Sequence, residues 1–270
     1  MKLAFSTLGC PGWSFNEIYA TAKDLGMDGV EIRGIGREIY APHAKEFSDE
    51  NLDQTMETLQ KNGLTIPIFT SGAELGLAEK KEEALQEAYD YVDLAFKAGV
   101  PYIRVLGTAN PAPEDSDLNL ALEQYCKVCD YAAAKNVTPL METNGLLADS
   151  MVMAEFMAKA SRPNSGVLWD IHHPFRFFGE PPMATYKNIG EYVRYVHVKD
   201  SVLDENDKVS YRMMGYGDVP IFDCLKVLSD NGYQSFIALE WIKRWNPELQ
   251  EPGIVLSHFV NYMHYLIDQL

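Results

Sequence analysis

The stretch DNGYQSFIALEW (residues 230–241) contains the structural unit from which the rest of the chain is built. Its glycine follows an amphipathic segment and is expected to end a helix, because glycine takes the left-handed conformation that other residues resist. The apolar run SFIALEW (235–241) that comes next has the length and composition of a buried strand. Glu240 lies at the end of that run. The stretch therefore predicts a helix, a turn and a strand whose last residues include a carboxylate.

The same unit recurs along the whole chain. Helix-ending glycines precede three other apolar runs, in DLGMDGVEI, KNGLTIPI and KAGVPYIRV. The predicted strands are 3–8, 29–34, 65–71, 102–107, 138–143, 166–171, 193–200 and 235–241. The predicted helices are 15–25, 49–62, 79–98, 117–135, 149–160, 184–191, 220–231 and 253–268. Alternating strands and helices indicate a parallel sheet covered by helices, and eight such units predict an α/β fold, the (β/α)8 TIM barrel, as one domain over residues 1–270.

Charge and composition exclude several classes of function. The chain has 23 Lys and Arg against 39 Asp and Glu, a net charge of −16, which argues against nucleic acid and anionic membranes as partners. A small phosphorylated substrate stays open, because one local Arg or Lys can override the net field. The first residues predict a strand and not a signal peptide, and no apolar run is long enough to span a bilayer. With only four cysteines, a reducing cytoplasm is the expected location.

Four predicted strands carry one metal-compatible side chain each at the carboxyl end. They are Glu142 in LMET, Asp170 in VLWD, His197 in YVHVKD and Glu240 in ALEW. Because a (β/α)8 barrel builds its active site where its strands end, these side chains are expected to meet at one rim. Three carboxylates and one imidazole suit one divalent ion, either Mn²⁺, Mg²⁺, Co²⁺ or Fe²⁺, and Zn²⁺ is also compatible.

This ligand set predicts an enzyme that works on a sugar-like substrate. A divalent ion can polarise a carbonyl and stabilise the enediolate that forms when the adjacent carbon loses a proton. Glu142 and Glu240 are the candidate acid/base pair. Proton return to the opposite face would epimerise the substrate, return to the neighbouring carbon would isomerise it, and loss of a β-hydroxyl would dehydrate it. The alternative that is not an enzyme is a non-catalytic sugar-binding protein.

Three further residues are candidates for contact with the substrate. His173 follows Asp170 by three residues and is expected near the metal. Lys199 should face the same side of its strand as His197. Arg212, in the long loop after the seventh strand, could clamp a hydroxyl or a phosphate. At the ends of two other strands, Glu31 and Arg104 could form a charged pair at the mouth of the barrel or bind substrate.

The motifs GVLWDIHHP, YVHVKDS and FIALEW carry a resemblance to a known group of proteins. Over essentially its whole length, the chain resembles the sugar phosphate isomerase/epimerase superfamily, the xylose isomerase-like TIM barrels. The resemblance implies that Glu142, Asp170, His197 and Glu240 hold one divalent metal and that the two Glu exchange the proton. It also implies that His173 and Arg212 contact the substrate, a sugar or sugar phosphate, and that the protein forms a homodimer or homotetramer.

Two positions depart from members of that group. Ala148 stands where similar ketose 3-epimerases often carry another Glu, six residues after the Glu of the fifth strand. The stretch SYRMMG lacks the Asp-x-His pair of endonuclease IV, and together with the net charge this argues against a DNA repair enzyme of that kind. Epimerase or isomerase is therefore the first expectation, and a lyase that dehydrates a keto-inositol or an oxidised sugar is the alternative.

Overall fold

Eight parallel strands form a sheet that curls until its two edges meet, as described for residues 1–114 and 116–270 in a computed structural model. The strands are β1 (Lys2–Ser6), β2 (Gly29–Glu31), β3 (Ile68–Glu74), β4 (Tyr102–Leu106), β5 (Thr138–Glu142), β6 (Gly166–Asp170), β7 (Val193–Val198) and, after a two-stranded hairpin of β8 (Asp200–Leu203) and β9 (Val209–Arg212), β10 (Phe236–Leu239). Their order in the sheet is β2-β1-β10-β7-β6-β5-β4-β3. Bridges from Gly29 to Thr65 and from Ile32 to Phe69 join the edges, which confirms the predicted barrel.

Helices cover the outside of the barrel. They are α1 (Phe15–Asp24), α2 (Leu52–Lys61), α3 (Lys81–Ala98), α4 (Leu118–Ala133), α5 (Ser150–Ala160), α6 (His172–Phe178), α7 (Pro182–Ile189), α8 (Ile221–Asp230) and α9 (Pro252–Ile267). Short 3-10 helices lie at Thr7–Gly9, Ala41–His43, Lys45–Phe47, Ala78–Lys80, Gly145–Ala148 and Gly190–Tyr192. Within the described part of the chain, no helix combines the length and apolar character that crossing a membrane requires.

A small apolar layer inside the barrel determines which side chains reach the site. Its members come only from strands: Ala4, Ile68, Leu140, Leu168, Tyr195 and Ala238. The larger core includes residues of the helices and therefore lies between them and the strands. Because strand side chains alternate between faces, the residue two positions beyond each inner one also points inward, toward the carboxyl end. Glu142, Asp170, His197 and Glu240 are all residues of this kind.

Most elements begin or end within a few residues of their predicted bounds, as β2 does by ending at Glu31 and not at 34. Three differences affect the strands and loops near the barrel mouth or the start of a strand. The third strand begins at Ile68 and not at 65, since Pro67 has no N–H to donate to a neighbouring strand. The loop after β7 contains the hairpin β8–β9, whose polar sequence did not indicate strands. The loop after β6 begins with the helix α6, so His172 and His173 lie in its first turn.

Candidate active site

The four side chains predicted as metal ligands converge at the carboxyl ends of neighbouring strands. Glu142 ends β5, Asp170 ends β6, His197 lies in β7 and Glu240 directly follows β10. One potential ligand atom from each lies within 4.8 Å of the others. His197 Nδ1 is 4.0 Å from Glu142 Oε1, 3.9 Å from Asp170 Oδ2 and 3.6 Å from Glu240 Oε1. All four residues are buried, so the cluster forms the floor of the barrel mouth.

His197 presents a free nitrogen to this cluster. Its Nε2 lies 2.7 Å from Oε2 of Glu31, which reaches across from β2. When Nε2 donates to that carboxylate, Nδ1 keeps a lone pair, and Nδ1 is a buried atom without a hydrogen-bond partner. Burial alone would lower the pKa of His197, but Glu31 and Glu240 raise it to about 9. The surroundings of the ring are therefore strongly negative.

The arrangement fits one divalent cation. Ligands that each lie about 2.0–2.2 Å from a common ion are separated from one another by roughly 3–4 Å, and the distances from His197 Nδ1 to the carboxylates fall in or near that range. Three oxygen donors and one nitrogen match Mn²⁺, Mg²⁺, Co²⁺, Fe²⁺ or Zn²⁺. The unpartnered Nδ1 would gain a partner. Glu142, Asp170, His197 and Glu240 are thus able to hold a metal ion.

Two buried cations neutralise part of the carboxylate charge. Nη1 of Arg104 donates to Glu142 Oε2 at 2.8 Å and lies 3.6 Å from Glu240 Oε1, while Nη2 donates to the Ser71 carbonyl. The ammonium of Lys199 donates to both Asp170 and Glu240. When a metal ion displaces the proton of His197 and its ring is neutral, three carboxylates against these two cations leave one negative charge, before Glu31 is counted. That remaining charge favours a further cation at the cluster.

The two glutamates experience opposite electrostatic environments. Burial is the largest effect on the pKa of Glu142 and raises it; the cation of Arg104 lowers it, but burial together with the charge of Glu240 prevails. Burial also acts on Glu240, but Lys199 and His197 outweigh it and lower the pKa of that carboxyl. Such a difference between two carboxyls in one cavity is typical of an acid and base pair.

His173 lies beside the cluster, and His172, Asp170 and His173 form a second group whose potential ligand atoms lie within 4.8 Å of one another. The Nδ1 of His173 lies 2.8 Å from the Thr143 carbonyl, so Nδ1–H donates and Nε2 is directed toward Asp170 Oδ2 at 3.7 Å. Burial, followed by the charge of Lys199, lowers the pKa of His173 well below its ordinary value, so its ring is neutral. His172 instead bonds through Nε2 to Ser201 Oγ at 2.8 Å.

A cavity of about 500 Å³ opens above these residues. Glu142, His173, Lys199 and Glu240 line its floor. Its walls include residues that were not predicted: Leu8, Arg33, Gly72, Glu74, Leu106, Asn144, Tyr211, Ile242 and Trp245. The volume is that of a small-molecule site. The mixture of polar floor and partly apolar wall suits a compact hydroxylated substrate.

Arg212 does not reach this cavity in the structure. Its Nη1 donates to Ser210 Oγ at 2.5 Å and to the Tyr211 carbonyl at 3.0 Å, both within its own hairpin. The neighbouring Tyr211 lines the cavity instead. Alternation along β9 places these adjacent residues on opposite faces, whereas a loop, which the sequence predicts for this segment, implies no such alternation.

The partners of Glu31 and Arg104 also differ from the pair considered from the sequence. Glu31 bonds to His197 and Arg104 bonds to Glu142, so each cavity-facing charge supports a candidate metal ligand. Their positions at strand ends had already singled them out. Arg33 could have been found in the same way, since it lies two residues beyond Glu31 and faces the same interior.

The Glu31 carboxylate is expected to hold His197 in the tautomer that leaves Nδ1 free. In Glu31→Gln the charge is lost and the amide can present either a donor or an acceptor to Nε2. We therefore expect Mn²⁺ affinity to fall about 10–100-fold, as for other partners of metal-binding histidines. Competition with a fluorescent chelator measures it. Glu87→Gln is the matched control, because Glu87 bonds to Gly72 N–H and not to His197; equal affinity in both variants would contradict the role.

Comparison with known proteins connects this geometry to a family. Residues 19–255 match the family model described as the xylose isomerase-like TIM barrel. Fructoselysine 3-epimerase of Escherichia coli O157:H7 is 21% identical over 259 residues, which cover 92% of this chain and 93% of that protein.

Two solved structures share the fold. The probable 3-DHS dehydratase AsbF of Bacillus anthracis has a TM-score of 0.78 at 17% identity and covers 98% of this chain and 99% of its own. A xylose isomerase-like TIM barrel protein of Mycobacterium smegmatis, in complex with magnesium, has a TM-score of 0.75 at 14% identity. The match covers 99% of this chain and 97% of that protein. The family match spans most of the chain, and the barrel and its strand-end cluster agree with it. This chain therefore belongs to the xylose isomerase-like TIM barrel family.

Proposed function

We propose that the protein is a divalent-metal-dependent epimerase or isomerase of a sugar, a ketose or a sugar phosphate. The observation that carries this proposal is the pair Glu142 and Glu240. Both residues line one cavity, and both belong to the cluster that is able to hold a metal ion. The similarity to a fructoselysine 3-epimerase over 92% of the chain supports the same class of reaction. The acid/base role of the two glutamates is part of the proposal.

A divalent cation held by Glu142, Asp170, His197 and Glu240 would polarise the substrate carbonyl and stabilise the negative charge of an enediolate. Glu240, whose carboxylate is kept ionised by Lys199, would accept the proton from the carbon beside the carbonyl. Glu142 would return a proton to the opposite face.

The surrounding residues would orient the substrate and the two carboxyls. Arg104 donates to Glu142 and lies near Glu240, so it fixes the spacing between them. The Nε2 of His173 is free to bond a substrate hydroxyl, because Nδ1 is bound to Thr143. Tyr211 and Trp245 would cover the substrate from the cavity wall and exclude water.

Dehydration is the second candidate, since the fold is shared with a probable dehydratase. Both reactions begin with the same loss of a proton and need the same ligands. They differ in the fate of the carbanion, which either regains a proton or expels a β-hydroxyl. The product is what distinguishes the two.

Incubation in D₂O with Mn²⁺ tests the proposal on a panel of ketoses, their phosphates and keto-inositols. Epimerisation or isomerisation is expected to place one deuterium on a carbon at or beside the carbonyl, with an otherwise conserved mass. Dehydration would remove one water and favour the second candidate. A protein that binds its metal and a sugar, yet exchanges no proton in any compound of the panel, would be a sugar-binding protein and the proposed enzyme would be rejected.

A further inference from the structure

One cation in the wall of the cavity has no carboxylate partner. Three cationic side chains line this space, namely Arg33, Arg104 and Lys199. Arg104 is bound to Glu142, and Lys199 is bound to Asp170 and Glu240. Among residues 1–114 and 116–270, no carboxylate oxygen lies within 4.0 Å of the Arg33 guanidinium. Arg33 is therefore the cavity cation that is available to an incoming anion.

The local backbone holds the Arg33 side chain in place. Nη1 donates to the Ile39 carbonyl at 3.1 Å, and the backbone N–H of Arg33 donates to Thr7 Oγ1 at 3.0 Å. Nη2 lies against Gly72, where an added Cβ would be only 2.8 Å away, so this approach depends on glycine. The nearest acidic group on that side, Glu87, accepts the Gly72 N–H at 2.5 Å. The guanidinium is thus positioned by a carbonyl, and Glu87 acts on its charge only from beyond ion-pair distance.

Barrel topology places Arg33 across the cavity from the metal-binding cluster. In the closed strand order, β2 is four strands away from β6 in either direction. Asp170 ends β6, whereas Arg33 follows the end of β2. The four candidate ligands occupy the half of the rim formed by β5, β6, β7 and β10. A substrate whose carbonyl lies at the cluster would therefore direct its far end toward Arg33.

We propose that Arg33 forms a subsite for an anionic group, a carboxylate or a phosphate, at the end of the substrate remote from the reacting carbon. This inference rests on the proposed function, because that function defines which end of the substrate lies at the cluster. A guanidinium presents parallel N–H donors to both kinds of anion. The substrate class is then an acidic ketose or a ketose phosphate, and not a neutral sugar.

Calorimetric titration of the Mn²⁺-loaded protein tests the subsite without turnover. D-Fructose, D-fructose 6-phosphate and D-fructuronate share a ketose and differ in the group at carbon 6. We expect one of the two anionic compounds to bind at least about 10-fold more tightly than D-fructose, since hydrogen bonds to charged groups are among the stronger ones. Preference for the phosphate or for the carboxylate identifies which anion the subsite takes.

Three variants test whether Arg33 binds the anionic group or only supports the structure. Arg33→Gln is expected to remove the advantage of the anionic ketose, about 10–100-fold, and to leave D-fructose binding unchanged. Arg33→Lys should keep part of the advantage. Arg37→Gln is the matched control, because Arg37 is exposed in the same loop and does not line the cavity.

Several results would overturn the subsite. They are equal binding of the three compounds by the unmodified protein, equal weakening of all three in Arg33→Gln, and no difference between Arg33→Gln and Arg37→Gln. If Arg33→Gln does not fold, the unmodified protein and Arg33→Lys still test the subsite. In both proteins, inorganic phosphate should displace the anionic ketose and should not displace D-fructose. Intact anion preference without proton exchange in D₂O would reject the proposed function alone.

Discussion

Glu142→Gln and Glu240→Gln are each expected to lower solvent deuterium incorporation into the substrate by about 10²–10⁴-fold, the usual contribution of a positioned acid or base. Gln keeps the shape of the side chain and one carbonyl oxygen, but it cannot take up or release the proton. Gln still offers its carbonyl oxygen as a weaker ligand, so each variant should retain some bound metal at saturating metal concentration. Exchange followed by NMR, together with elemental analysis, measures both quantities.

A control variant within the same cavity distinguishes the loss of an acid or base from a general disturbance of the site. The Glu74 carboxylate also lines the cavity, but it is bound to Lys80 and to the Ala109 N–H. Glu74→Gln should therefore exchange protons within a few-fold of the unmodified protein. If Glu142→Gln or Glu240→Gln exchanges as fast as Glu74→Gln, that glutamate is not part of the acid/base pair.

Asp170→Asn and His197→Ala are expected to weaken Mn²⁺ binding by at least about 100-fold, more than the loss of a residue that only supports a ligand. Asp170 is fully buried and contributes a whole negative charge beside Lys199. His197 contributes the nitrogen donor of the cluster. Electron paramagnetic resonance of Mn²⁺ titrations gives the affinity, and circular dichroism shows whether each variant is folded.

The control for these variants is His258→Gln. His258 Nε2 bonds to the Met214 carbonyl, away from the cluster, and its loss should leave metal affinity unchanged. Removal of metal with a chelator should abolish exchange in the unmodified protein, and added Mn²⁺ should restore it. Folded Asp170→Asn or His197→Ala protein that binds metal like His258→Gln would remove that residue from the ligand set.

Much of the fold could be predicted because its determinants are local. A helix-ending glycine such as Gly99, at φ 66°, depends on steric limits that act within one turn. Apolar runs of strand length and amphipathic helices alternate along the chain, and this alternation alone indicates a parallel barrel. The irregular features were missed for the opposite reason. The hairpin β8–β9 is polar and partly exposed, so its residues carry no apolar pattern.

In the candidate site, too, features that depend on local sequence could be predicted and features that depend on distant contacts could not. Glu142, Asp170, His197 and Glu240 could be identified because side-chain alternation and strand ends are readable one strand at a time, and the barrel rule brings those ends together. Their partners could not be identified in this way. Glu31 meets His197 only because β2 and β7, distant in sequence, face each other across the barrel. Arg104 meets Glu142 because its side chain reaches from β4 to the carboxyl end of the adjacent β5, and neither strand by itself indicates this contact.

The sequence by itself determined the alternation of strands and helices, and through it the barrel, and it determined the kind of residue at each strand end, and through it the cluster of three carboxylates and one imidazole. Only the tertiary structure decided which charges neutralise one another and which side chains reach the cavity. Lys199 and Arg104 are paired with carboxylates, Arg212 is bound within its own hairpin, and Arg33 lines the cavity without a carboxylate within 4.0 Å among the described residues. The physical reason is that ion pairing depends on distances of a few ångströms between separate strands and loops, which barrel closure sets and local sequence patterns do not.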